Sequence, residues 1–456
     1  MAPLHVPPGP SGYPLIGNLI PFLRNPLALF TQCARDYGDV VRLRFPGMEV
    51  YSLHHPDLTA YVLRGEPRYF IKDQLTRRLS NLLGQGLVTS EGDFWRQQRR
   101  LAQPAFQPSH LHHYGTVMTA YTDRMLHDWQ DGQRRDLHQD MMHLTLEIAA
   151  KTFFDSDIAT DANDIRTALE AVMTYDMGLS NWLFPDRWVP TPAAFRFRRA
   201  VRTLDQIIYR IIHQHRLSTH PSADLLSRLL AARNDDDSQM TDQQLRDEVM
   251  TLLLAGHETT ALTLSYCCYL LAQHPKAEQA LAAEWAQVLD GRTPTAADVP
   301  RLPYTTWVVR ESMRLYPPAW GIGREAIQDC VIDGYHVPKG TQLYLNQWVV
   351  HRDPRWFDEP KAFKPERWEN DSVKRLPHGV YFPFGDGPRI CIGNHFAMME
   401  AVLVLATVGQ RYRMTLVSDR PLALVPSVTL RPKHGVQVVV HKRPWKEHER
   451  IGTEAA

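Results

Sequence analysis

FPFGDGPRICIG, Phe382 to Gly393, is the stretch on which the reading of this chain turns. Cys391 stands just before the apolar-periodic run Phe396 to Ala406, which places its sulfur near a helix N-terminus, where exposed N–H groups and the helix dipole favour a thiolate. Gly385, Gly387 and Gly393 let the backbone turn tightly and approach a flat ligand closely. Arg389, two residues before the cysteine, is placed to meet an anionic group beside it. A lone cysteine before a helix is usually inert packing, so the neighbouring residues have to carry the argument.

Outward from this loop the chain is ordinary globular material: 456 residues, 44% apolar, 22% charged and 10% aromatic. The charge sum, 51 − 50 = +1, excludes a strong global attraction for nucleic acid or an anionic membrane. The cysteines, Cys33, Cys267, Cys268, Cys330 and Cys391, form no CxxC pair, which argues against a disulfide framework or a structural zinc and for a reducing, cytoplasmic home. The opening segment Met1 to Arg24 lacks a basic start and is broken by prolines, reading as neither signal peptide nor membrane anchor. The most apolar helical run, Val249 to Gln273, carries His257 and Glu258 mid-span and reads as a buried core helix.

Val40 to Phe45 and Met48 to Leu53 flank Pro46-Gly47 as a predicted hairpin, and Cys330 to Asn346 holds DG and PKG turn signals between short apolar runs. Gly435 to Arg443 supplies a further strand. Between these patches the spacing is mostly helical. Thr241 with Gln244 forms a capping box, and a helix from Thr241 to Gln273 would be about 48 Å long. The class is mainly α with small antiparallel β-sheets. Low-complexity stretches are confined to short pieces such as NDDDS at Asn234 to Ser238.

The run Phe384 to Gly393 matches FGxGxRxCxG, and by this the chain resembles the cytochrome P450 family. Six fixed positions recur by chance in a chain this long on the order of once in 100,000 cases. The resemblance implies that fold, a triangular prism-like helical body in a single domain over residues 1–456, with loose ends at 1–10 and 447–456. It implies haem b with Cys391 as axial thiolate, and Phe384 and Gly385 shielding the sulfur. AGHETT, Ala255 to Thr260, matches the oxygen-binding segment. Leu252, Ala255, Gly256, Thr259, Leu262 and Thr263 share one helix face, small where a flat cofactor needs clearance. Implied there are Thr259 as donor to bound dioxygen and Glu258 as proton relay, with His257 pointing away.

ESMR and PERW match the family's ExxR and PERF segments, with Trp368 in place of Phe; Glu311, Arg314 and Arg367 are then a buried structural cluster behind the cysteine loop. WRQQRR matches WxxxR, so Trp95 and Arg99, with Arg324 and Arg389, would hold the haem propionates. Leu82, Leu87, Val88, Leu252, Ala319, Trp320, Ile322 and Val428 fall where the family's substrate pocket lies, and their types imply a hydrophobic substrate: terpenoid, carotenoid, steroid or fatty acyl. The hairpin strand MEVYSL lacks the basic residue with which several relatives anchor a carboxylate, so free fatty acids are not favoured.

No residues remain for a fused reductase, which implies a separate ferredoxin or flavodoxin with its reductase, docking beside Arg96 and Arg100. The implied activity is a monooxygenase. Its rivals are a peroxygenase or oxygen-independent isomerase on the same fold, and a non-catalytic haem-thiolate sensor.

Overall fold

The computed structural model describes residues 5–156, 161–175, 191–218, 224–233 and 239–443. The stretch 234–238 and the tail 447–456 singled out from the sequence lie outside these. Residues 5–10 are not loose: His5 bridges Tyr335, and the Pro8 carbonyl accepts the Arg42 N–H at 2.8 Å. Their prolines fix an extended path that the hairpin edge can bind.

That hairpin forms as its alternation predicts. β1 (Val40–Phe45) and β2 (Met48–Leu53) pair antiparallel from Val40 opposite Leu53 to Phe45 opposite Met48. Gly47 takes φ +69°, the left-handed turn position that glycine enters without strain. The sheet continues through strands far along the chain. In chain order these are β3 (Phe70–Lys72), β4 (Ile322–Ala326) and β5 (Gln342–Leu345), and the spatial order is β1-β2-β5-β4-β3. β2 and β5 run parallel and the other pairs antiparallel. The remaining strands form small antiparallel sheets, including the pairing of Cys330–Ile332 with Tyr335–Val337 across Asp333-Gly334.

Helices make up the rest. Those that place the site are α1 (Gly92–Ala102), α2 (Leu137–Phe154), α3 (Asp242–Gln273), α4 (Pro303–Leu315), α5 (Gln347–Val350) and α6 (Asn394–Arg411). The capping box of α3 is present: Thr241 Oγ1 accepts the Gln244 N–H at 3.2 Å, and Gln244 Oε1 accepts the Thr241 N–H at 2.8 Å. Two orphan amides are thereby satisfied at the start of a helix buried along most of its length. α2 packs along it, with the Thr145 hydroxyl donating to the His257 carbonyl at 2.9 Å. Among the described residues no helix is long and apolar enough to cross a membrane.

Behind the cysteine loop lies the charged cluster. Arg314 forks onto Glu311 at 2.7 and 2.9 Å, and both side chains are 0% exposed. Arg367 Nε reaches Glu311 Oε1 at 3.0 Å, and the free Arg314 donors go to the carbonyls of His351, Pro360 and Ala362. Trp368 explains its own departure from phenylalanine, because its indole N–H donates to Glu311 Oε2 at 2.9 Å. A buried ion pair this fully bonded is costly to open, since a lone charge is left in the interior. Glu311→Gln is expected to lose about 3 to 5 kcal/mol. Trp368→Phe, which forfeits one bond to a charged acceptor, is expected to lose about 1.5 to 3 kcal/mol. Urea unfolding midpoints of the two variants check both figures and their order.

Candidate functional site

The cysteine loop folds back on itself. The Cys391 N–H donates to the Phe384 carbonyl at 2.9 Å, the Gly385 N–H to the Phe382 carbonyl at 2.9 Å, and Arg99 Nη1 to the Ile390 carbonyl at 2.7 Å. Gly387 is the glycine the turn cannot replace: at φ +68°, a Cβ there would lie 1.9 Å from the Leu63 carbonyl oxygen. Gly393 has an ordinary negative φ, and a Cβ there would make only ordinary contact with the Phe106 ring at 3.8 Å, so conformation does not require it.

The Cys391 side chain opens into an interior cavity of about 420 Å³. Although its sulfur faces that space, the surrounding protein pushes the thiol's pKa up by burial, opposed by the Gly393 amide and the Arg99 guanidinium. The dipole argument from sequence is outweighed here by desolvation. The chain alone does not make this cysteine a ready thiolate, and a metal ion would.

Across the cavity runs α3, which contributes Leu252, Ala255, Gly256, Thr259 and Thr263, and also Thr251 and Thr260. Leu262, placed on this face from the spacing, is buried elsewhere in the core. A Cβ on Gly256 would lie 2.8 Å from the Phe153 ring, so close packing of α2 on α3 demands the glycine. The Thr259 hydroxyl donates to the Ala255 carbonyl at 2.7 Å, one turn back.

Glu258 does not join it. Consecutive helix residues point about 100° apart, and the Glu258 carboxylate lies on the other side of α3, bonded at 2.5 Å by both Thr429 and Arg431. There it lines a polar cleft of about 990 Å³ together with His138 and His257. His257 therefore points away from the cavity, its Nδ1 on the Leu253 carbonyl at 2.9 Å.

Of the expected pocket residues, Leu87, Val88, Leu252, Ala319, Ile322 and Val428 line the cavity. Leu82 and Trp320 do not, which corrects the sequence expectation. Leu82 packs in the helical core, where its carbonyl accepts from Arg246 at 2.7 Å. Trp320 turns to the opposite side of its strand-like segment, donating to the Ser427 carbonyl at 2.8 Å and packing on Phe30 and Tyr344.

One end of the cavity is cationic. Trp95, Arg99, Arg324 and Arg389 reach it as expected, with Phe384 and Gly385 nearby, and Lys72 joins them. Nothing in the local pattern FIKDQ marks that lysine. Only the pairing of β3 with β4, which sets Lys72 opposite Arg324, brings it in. Like charges in direct register are unfavourable. Burial, then Arg324 and Arg389, push the Lys72 ammonium down to about 7, and burial with Arg389 pushes Arg324 down to about 10. Arg389 pairs with Glu91, donates to the Ser90 carbonyl at 2.8 Å and stacks over the Trp95 ring at 4.0 Å.

The donor set is specific: a sulfur, an apolar space under a small-residue helix face, and half-buried or buried cations in excess of their carboxylates. These residues fit the haem that the resemblance implies, with Cys391 to hold its iron and Lys72, Arg99, Arg324 and Arg389 to meet its propionates.

The comparisons agree with that geometry. The family profile "Cytochrome P450" matches residues 7–440. The chain belongs to the cytochrome P450 family. This P450 is 37% identical to cyclooctatin synthase of Streptomyces melanosporofaciens over 93% of its own length and 91% of the relative's. To cyclooctat-9-en-7-ol 5-monooxygenase of the same organism it is 35% identical, over 92% and 90%. The structure of retinoic acid bound cyanobacterial CYP120A1 superposes with TM-score 0.87 at 29% identity, covering 96% of this chain and all of that one. Like its named relatives, the protein is a haem-thiolate monooxygenase, an oxidoreductase.

The cation cluster makes a pH dependence. The folded pKa of Lys72, about 7, lies below its ordinary 10.5. Between those values the unfolded chain binds a proton that the folded apoprotein does not, so apoprotein stability should rise with pH across that window. Lys72→Met should flatten the rise, as read from unfolding midpoints of haem-free protein.

Proposed function

We propose that this P450 inserts one oxygen atom of dioxygen into a C–H or C=C bond of a terpenoid and releases the other as water. The observation that carries the reading is the cavity itself, with the Cys391 sulfur and the Thr259 hydroxyl both opening into one apolar chamber. Terpenoid is the class favoured by the relatives' names and by the aliphatic walls, which include no charged side chain outside the propionate end. Haem b, when bound, supplies the iron that activates oxygen. Among the cysteines only Cys391 lines the cavity, so no second thiol is placed to tether the macrocycle.

The chain's own residues do the rest. Leu87, Val88, Ile322 and Val428 bind the substrate by apolar contact and exclude water. Thr259, whose hydroxyl rests on the Ala255 carbonyl, is a hydrogen-bond donor that a side-chain rotation aims into the chamber. Glu258, ion-paired to Arg431 at the polar cleft, is the acid that draws protons from solvent on the far side of α3; delivering them requires it to leave Arg431.

Electrons arrive from a separate ferredoxin or flavodoxin with its reductase. A groove of about 400 Å³ on the sulfur's side, lined by Trp95, Arg96, Arg99 and Arg100, suits an acidic partner. Arg96 is 68% exposed and pairs with the still more open Asp93, a contact that a partner can displace. Five free thiols, three of them fully buried, suit a reducing cytoplasm.

Thr259→Ala tests the reading against its peroxide-driven and oxygen-independent rivals. With redox partners present, product formed per NAD(P)H consumed is expected to fall roughly tenfold or more, with peroxide released instead. Unchanged coupling would contradict the assignment. Reversing Arg96 and Arg100 to Glu should slow reduction by the partner and remove most of its salt dependence, measured by stopped flow.

A further inference from the structure

We infer that His351 is a positioning residue for Cys391: its imidazole Nε2 accepts the Phe382 N–H and so ties the first residue of the cysteine loop to the Glu311–Arg314 cluster. The inference rests on the haem-thiolate reading of Cys391.

The connection can be followed bond by bond. Arg314 Nη1, fixed by Glu311, donates to the His351 carbonyl at 2.9 Å. The ring of the same histidine accepts from the Phe382 N–H at 3.0 Å. From the other side, Gln347 Nε2 donates to the Phe382 carbonyl at 2.5 Å. That carbonyl also accepts the Gly385 N–H, and the next link, Phe384 carbonyl to Cys391 N–H, is 2.9 Å. Arg314, Gln347 and His351 are each 0% exposed and Phe382 is 3% exposed, so no water substitutes for a lost partner.

Only a neutral ring with its proton on Nδ1 accepts at Nε2. The surroundings keep the ring neutral. Burial, and then the facing cations Arg314 and Arg352, push the imidazole well below its ordinary range, while Tyr381 and Phe382 fix the ring plane at centroid distances of 5.2 Å. Glu311 is engaged by Arg314, and only the Met313 backbone opposes the downward push on the ring. Losing the ring acceptor frees the start of the loop while leaving the ion-pair cluster intact. The sulfur then samples positions in which iron holds it less firmly and it is more readily protonated.

The test uses the haem-loaded full chain, reduced and exposed to carbon monoxide, in which the position of the Soret band separates thiolate from thiol ligation. His351→Gln places an acceptor oxygen near the Nε2 position, whereas His351→Asn is too short to reach Phe382. The thiolate-to-thiol ratio is expected to stay near wild type in H351Q and to fall roughly fivefold in H351N, the factor set by one net hydrogen bond. On acidification, H351N should also convert to the thiol form at higher pH than H351Q does. Should H351N give no folded protein, H351M, apolar and similarly long, is read in the same way. Equal ratios in wild type and H351N, or equal losses in H351Q and H351N, would overturn the inference while a normal wild-type band leaves the haem-thiolate reading standing. A wild-type protein with no thiolate band would instead reject that reading, and this inference with it.

Discussion

Like charges buried side by side need an opposite charge, and this requirement organises the molecule. Lys72, Arg99, Arg324 and Arg389 converge on one end of an interior cavity, where Glu91 is already engaged by Arg389. Lys72 and Arg324 are held in cross-strand register, the arrangement a sheet tolerates least without a partner. A lone sulfur, that of Cys391, faces the same space. Charge and softness together fit the haem that membership of the cytochrome P450 family implies.

The scaffold serves that geometry through two rigid pieces. α3, capped at Thr241 and packed against α2 through Thr145 and Phe153, sets a straight wall with small residues toward the cavity. The Glu311 cluster is the second, fixed behind the cysteine loop because every donor of Arg314 is spent on side-chain or loop oxygens. The cluster's stability therefore passes into the position of the loop. A single step of helix rotation along α3 separates Thr259, which lines the cavity, from Glu258, which lines the polar cleft.

What the sequence made legible was local. The hairpin about Pro46-Gly47, the capped long helix and the cysteine loop are each written in contiguous residues whose spacing has one physical meaning. The ExxR pair was legible by order along the chain, and Trp368 by its place in PERW, though the indole bond to Glu311 was not. Contacts between distant segments were hidden. Lys72 became part of the site only through a strand pairing that no period announces. Trp320 was misplaced because alternation along an irregular segment cannot be phased from sequence. The helix rotation that parts Glu258 from Thr259 was legible in the 3.6-residue repeat, which left Glu258 off the face that carries Thr259.

The central claim is that Cys391 sulfur bonds the iron of a porphyrin. Resonance Raman spectroscopy of the haem-loaded ferric protein, grown with cysteine of natural sulfur and with ³⁴S-cysteine, addresses that bond alone. The account predicts an iron–sulfur stretching band that moves to lower frequency with the heavier isotope and vanishes in Cys391→Ser. A spectrum without any isotope-sensitive band, or one in which the band survives in the serine variant, would contradict it.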